Sequence, residues 1–324
     1  MPVSQGNILL RHRRSLVGSL RLRYVQSEAL GIRKPFYVYE PPGLAGAARV
    51  PVLYLFRGHE REWVNLREDA SRNRRTAVEA LDAAIAGGAL PPIVAVLPGL
   101  NSTNNHVPSL GIDMAGRWPL TLRGLGTGRF WHYLAHELLP RTERDYPETA
   151  GGARLMAGFS LGGFTVSLLA THLPGFFHHA GIYDGLFMWP GHDDPRQPAP
   201  GPCSDPVWCR APIFDAALGR PRDALAMRRW NPTDVLQTAT GDLLGAIRKT
   251  AFFVRCASGE GNRGNRDRAH FFVDLLRERG VPTAGGEIVF HPEATHSWHW
   301  TDRFLLRFLE AALGPTPPGT GAGV

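Results

Sequence analysis

Three near-continuous apolar runs, "VPVLYLFRG", "PPIVAVLPG" and "ARLMAGFS", each lead, directly or after a loop, into a segment long enough for a helix. A run apolar at successive positions suits a strand covered on both faces. Strands of that kind alternating with helices define an α/β chain with a mainly parallel sheet. "HAGIYDG", "TAFFVRCAS" and "GEIVFHPEA" continue the series of strands. Helices are expected over Ser71–Ala86, closed by Gly87 and Gly88, and at "RFWHYLAHELLPRTERDYP", "LGGFTVSLLATHL", "RDRAHFFVDLLRERG" and "WHWTDRFLLRFLEAAL". The opening differs: "LVGSLRLRYV" and "PFYVYEP" alternate with period two and have no helix between them, which predicts an antiparallel hairpin or meander.

One domain over residues 16–313 follows from this order, with 1–15 as an N-terminal tail and 314–324 as a disordered tail. The Pro- and Trp-containing excursion at about 186–232 is expected to be a cap-like insertion. The segment "LNSTNNHVPSLGIDMAGRWPLTLRGLGTG" is a loop of the length that is usually functional or disordered.

A chain of 324 residues, 43% hydrophobic and 20% charged, can bury a large core. It contains no run of about 18 apolar residues, so no transmembrane helix and no membrane partner are expected. The start lacks an apolar segment before a cleavage site, which points to a cytoplasmic protein unless a signal was trimmed. The net charge of +7 raises nucleic acid as a partner. Yet only Lys34 and Lys249 are lysines, and the arginines are scattered among acids; "RHRR" at 11–14 and "RNRR" at 72–75 read as solvated faces, so no nucleic acid is expected. Cys203 and Cys209 stand in a Pro-rich stretch with His192, Asp193 and Asp194, but C-x5-C matches no common zinc spacing, and they read as loop thiols. Cys256 reads as core. No metal is expected.

Gly158, Ser160 and Gly162 form G-x-S-x-G where an apolar strand turns into a helix, the context that holds a serine hydroxyl out at a sheet edge. A serine needs a base to become a nucleophile. His296, in the loop after the last expected strand, stands where the chain order Ser, acid, His would put it. His291 and His299 read as strand and helix-start residues. Three carboxylates between Ser160 and His296 are candidates to orient the imidazole: Glu260, directly after "TAFFVRCAS", then Asp267 near a helix start, then Asp184 after "HAGIY". For an oxyanion hole the backbone N–H groups of Leu161 and His59 are the candidates, Gly58 allowing close approach beside the latter. Arg57, Trp63 and Trp189 are candidate substrate contacts, with Trp208 and Trp298 also near the expected catalytic edge.

These segments, in order, resemble the putative esterase family of α/β-hydrolases, which groups esterase D, feruloyl esterases and mycolyltransferases. "YVYEPPG", "PVLYLFRG", "RLMAGFSLGGF", "THSWHW" and "RFWHYLAHELLPRTERDYP" carry the likeness over about residues 15–313. It implies Ser160 as nucleophile, His296 as base, an acid after "FFVRCAS", oxyanion N–H groups at His59 and Leu161, and no cofactor or metal. Arg57 departs from the His, Asp or Ser more usual before the glycine, and Asp184 from the Ser that often precedes Gly185.

The expected activity is therefore hydrolysis of a small-molecule carboxylic ester through an acyl-enzyme. Transfer of the acyl group to an alcohol is the alternative. Gly259, Gly261 and Gly264 also spell G-x-G-x-x-G, which would suit a nicotinamide cofactor. Too few strands remain after it to build a dinucleotide domain, so that reading ranks far below the esterase. A binding module that has lost its chemistry is the last reading.

Overall fold

The computed structural model describes residues 5–72, 74–191, 208, 211–222, 224–259 and 264–314. Its centre is a seven-stranded sheet of β1 (Ser19–Ser27), β2 (Ile32–Glu40), β3 (Val52–Phe56), β4 (Val94–Pro98), β5 (Arg154–Phe159), β6 (His179–Tyr183) and β7 (Ala251–Arg255), in the order β1-β2-β4-β3-β5-β6-β7. β1 pairs antiparallel with β2, and β2 with β4; the remaining pairs are parallel. The meander and the parallel sheet expected from the apolar runs are both present.

β3 and β4 are buried along their whole length. Side chains alternate across the sheet. Val52, Tyr54, Val96 and Met156 enter one apolar cluster, while Leu53, Leu55, Leu97 and Leu155 enter another on the opposite face. The first is covered by the helices Leu161–His172 and Asn265–Glu278, the second by Ala77–Ala86 and Trp298–Leu313. At Gly181 a Cβ would lie 2.6 Å from the Phe308 ring, so the missing side chain is what lets the last helix seat on β6.

Several expectations are corrected. The helix expected from Ser71 starts at Ala77, because Thr76 and Glu79 form a capping box: Thr76 Oγ1 accepts from the Glu79 N–H and Glu79 Oε2 from the Thr76 N–H. Arg72, read as part of a solvated face, is buried. The segment "GEIVFHPEA" forms only one isolated bridge, Cys256 to Val289, before the chain turns at His291 to Ala294. Residues 5–15, read as a tail, form a helix with Ile8 and His12 buried. The "RFWHYLAHELLPRTERDYP" helix runs as Phe130–His132, a π-helical Tyr133–Leu138 and Leu139–Asp145.

The long loop after β4 is held to the sheet by Lys34, whose buried ammonium donates to the carbonyls of Asn101 (2.7 Å) and Gly124 (2.6 Å). The excursion after β6 contributes the helices Ala211–Leu218, Ala224–Trp230 and Pro232–Thr238. Trp208, Phe214 and Met227 from it pack on Leu110 and Ile112 of the loop and on Phe164 and Leu168 of the Leu161–His172 helix, forming a third cluster. Cys203, Cys209, His192, Asp193, Asp194 and residues 315–324 lie outside the described residues.

His12 ties the first helix to the capping box: its ring meets the Ile8 carbonyl (2.8 Å) and Thr76 Oγ1 (3.3 Å), and burial lowers its pKa below 6.5. The folded state therefore binds this proton less readily than the unfolded chain. Its contribution is present above the unfolded pKa and is lost as pH falls through 6.5 towards the lowered value. Urea midpoints measured at neutral and mildly acidic pH are expected to fall with acid, and to fall less steeply in His12→Leu.

Candidate functional site

At the end of β5, Ser160 has φ 54° and ψ −114°, a backbone conformation that a residue with a side chain occupies only when its surroundings force it. The surroundings here are glycines. A Cβ on Gly158 would lie 2.2 Å from the Gly162 carbonyl oxygen, one on Gly162 2.0 Å from that of Phe56, and one on Gly163 2.5 Å from Gly185 Cα. The carbonyl of Ser160 accepts from the N–H groups of Gly163 and Leu186, both at 2.9 Å. Leu161 opens the helix, so its N–H has no partner within the helix and is positioned as a donor beside the serine.

β6 pairs with β5 with Tyr183 opposite Phe159, so the residue after each strand leaves the same sheet edge. That residue on β6 is Asp184, with φ 44° and no solvent exposure. Its N–H donates to the Arg255 carbonyl of β7 (2.8 Å), and its Oδ1 accepts from the Ala257 N–H (3.2 Å). Asn265 Nδ2 donates to the Asp184 carbonyl (3.1 Å) and reaches its Oδ2 at 3.4 Å. The same Oδ2 accepts from His296 Nδ1 in a short hydrogen bond. An ionised carboxylate can only accept, so Nδ1 is the donor of this pair, which in a neutral imidazole leaves the Nε2 lone pair free.

The His296 loop is secured from beneath. Tyr183 Oη donates to the Thr295 carbonyl (2.7 Å), the Ser258 N–H to that of Ala294 (2.9 Å) and Ser258 Oγ to that of Pro292 (2.6 Å). The imidazole lies on the Phe159 ring with centroids 4.6 Å apart, which brings it next to the serine turn.

Of the two candidate acids among the described residues, Asp184, ranked last on sequence, is the one that meets His296. Glu260, ranked first, lies outside the described residues. Asp267 is exposed in the first turn of Asn265–Glu278, where it complements the helix dipole. Sequence reading missed Asn265 altogether, since its role depends on a contact across 81 positions.

The His59 N–H, expected to face an oxyanion, is engaged within its own loop. It donates to Glu62 Oε2 at 2.6 Å, as does that of Gly58 at 2.9 Å, so the loop's own carboxylate takes up the His59 donor expected to face an oxyanion. Arg57 stands beside this loop with its Nε 3.7 Å from Glu62 Oε1 and its guanidinium 5.2 Å from the Phe159 ring centre. Trp63 and Trp189, offered as substrate contacts, are buried in packing: Trp63 on Trp298 (5.0 Å between ring centres) and Trp189 on Phe271 (5.2 Å). Burial pushes the Cys256 thiol up to about 12, which leaves it protonated and unreactive at neutral pH. Among the described residues no group of His, Cys, Asp and Glu side chains has the arrangement of a metal site, and no helix is long and apolar enough to cross a membrane.

Residues 27–211, more than half of the chain, match the family described as Putative esterase. The chain belongs to this family. This chain is an enzyme of the carboxylic ester hydrolase class. The fold is similar to that of a ferulic acid esterase (TM-score 0.64, 17% identity, 92% of this chain and 98% of that one). It is also similar to an S-formylglutathione hydrolase from Agrobacterium tumefaciens (TM-score 0.60, 18% identity, 93% and 96%). A third likeness is to the fluorophosphonate-binding serine hydrolase F of Staphylococcus aureus (TM-score 0.60, 13% identity, 91% and 98%). Among curated proteins no sequence match is found.

The glycine contacts at the serine turn generate a contrast. Gly162→Ala forces a methyl group against the Phe56 carbonyl and is expected to destabilise the family member by about 1–3 kcal/mol or more. Gly245→Ala, in the helix Gly241–Ile247 with nothing within 4 Å of the added carbon, is expected to stabilise by about 0.4–1 kcal/mol. Urea unfolding of the two variants checks both signs.

Proposed function

We propose that this esterase works through an acyl-enzyme on Ser160, with His296 as base and Asp184 as the acid that orients it. The observation that carries the reading is the hydrogen bond from His296 to Asp184, with the His296 ring lying on Phe159, the residue before the serine. His296 Nε2 takes the hydroxyl proton as the oxygen attacks the ester carbonyl, and the buried carboxylate stabilises the imidazolium that forms. The proton then passes to the departing alkoxide, and a water activated by the same nitrogen releases the acid.

The Leu161 N–H is the oxyanion donor supplied by the turn itself. Arg57 adds positive charge on the Phe159 side. The His59 N–H joins them only when Glu62 releases it. Asp184 is better suited to its role than an exposed acid, because four hydrogen bonds from three residues, Ala257 just after β7, Asn265 in the helix that follows and His296, fix its backbone and carboxylate. No metal or cofactor enters this reading.

A fluorophosphonate probe is expected to label Ser160, and Ser160→Ala to abolish both labelling and hydrolysis of p-nitrophenyl butyrate; persistent turnover would sink the assignment. Asp184→Asn is expected to lower kcat by about 10³–10⁴-fold with the circular dichroism spectrum retained. Glu260→Gln should stay within about twofold of the wild type. The reverse pattern would return the acid to Glu260.

A further inference from the structure

Beside the His59 loop lies a cavity of about 860 Å³, opening between the start of β2, the loop after β3 and the long loop after β4. Neither Ser160 nor His296 lines it, but His59 does, so it adjoins the site described above without being part of it. Glu60 lies in its wall and is only 2% exposed. One carboxylate oxygen, Oε2, meets His59 Nδ1 at 2.9 Å. The other, Oε1, is buried and has no hydrogen-bond partner among the described residues. Space for this carboxylate is built in: a Cβ on Gly99 would come within 2.4 Å of Oε2.

An orphaned buried carboxylate oxygen is costly, and a donor is what it requires. Lys34 lines the same cavity and uses two of its three N–H donors on the carbonyls of Asn101 and Gly124. Glu60 acts on the Lys34 ammonium electrostatically. A group that serves both must accept from Lys34 and donate to Glu60. A carboxylate cannot donate, and an ammonium cannot accept; a hydroxyl does both. Arg33, Arg61 and Arg123 add three positive charges to the wall, which favours an anion in the same ligand. Trp118 provides a flat apolar surface for its carbon frame.

We propose that this cavity is a subsite for a hydroxylated anion, such as the group a sugar acid presents, and that an ester substrate reaches it past His59. The second clause rests on the esterase reading; the first does not. The full-length protein is titrated calorimetrically with D-gluconate, with D-glucose, which has the hydroxyls alone, and with hexanoate, which has the charge alone. Gluconate is expected to bind at least about tenfold tighter than either, a difference of one good charge-assisted contact. Glu60→Gln and Arg123→Met are each expected to weaken gluconate about tenfold with the circular dichroism spectrum retained. Gluconate should also raise the KM for p-nitrophenyl butyrate with little change in kcat.

Equal binding of hexanoate and gluconate would overturn the proposal, as would gluconate affinity unaltered by Arg123→Met. A crystal structure with only an ordered water between Glu60 and Lys34, together with no gluconate binding, would do the same. An unchanged KM would remove the link to the substrate. Ester hydrolysis lost in Ser160→Ala while gluconate fails to bind would remove the cavity assignment and leave the esterase standing. Gluconate binding without hydrolysis would do the opposite.

Discussion

Gly162 lies so close to the Phe56 carbonyl that the helix after β5 touches the backbone of β3. That approach requires Gly158 beneath it and Gly163 against Gly185, and the turn between strand and helix then has room for one side chain, the serine's. The strain at Ser160 is held by these contacts together with the two N–H groups on its carbonyl. One of those donors, Leu186, lies two residues beyond Asp184, so the packing that raises the Ser160 hydroxyl also fixes where the chain leaves β6. Asp184 and Ser160 are thus positioned by one glycine-lined contact.

His296 depends on a second, aromatic construction. Its ring rests on Phe159, which contacts Trp298, which contacts Trp63. Arg72 covers Trp298 from 4.2 Å and binds Asp302, whose carboxyl burial pushes up to about 6. Ser297, at the N-cap of the last helix, makes no side-chain cap bond of its own. Asp69 and Ser71 accept from the N–H groups of Trp298 and His299 instead. The segment following the His59 loop therefore caps the helix that follows the catalytic histidine candidate, linking two sides of the site that sequence places more than 200 positions apart.

The parts legible in the sequence are those with local causes. Apolar runs define the strands, and the glycines around Ser160 mark the sharp turn because sterics there act over a few residues. Chain order made His296 a candidate. The carboxylate that meets it could not be separated from the other candidates this way, since Glu260, Asp267 and Asp184 all follow a strand or open a helix. What distinguishes Asp184 is burial at the end of β6 and the donors on it from Ala257 and Asn265, all contacts distant in sequence. His59 failed as an expected free donor for a different reason: Glu62 lies within the same loop, but the direction of its side chain is set by the fold. The first helix was hidden because its arginines mask a narrow buried stripe of Ile8 and His12.

The loop from Arg57 to Glu62 carries more covered charge than stability alone would favour. Glu60 and Glu62 are buried, and Arg57 is largely covered. Replacing such groups with well-packed apolar side chains is often neutral or stabilising, so their presence points to work done by the charge itself. Within this short span Glu62 holds the backbone donors of Gly58 and His59, Arg57 faces Phe159, and Glu60 turns the other way into the cavity with Lys34. One loop thereby sets the field on both sides of His59. The reacting carbonyl and a distant polar part of the same substrate would be read by neighbouring residues on a single rigid turn.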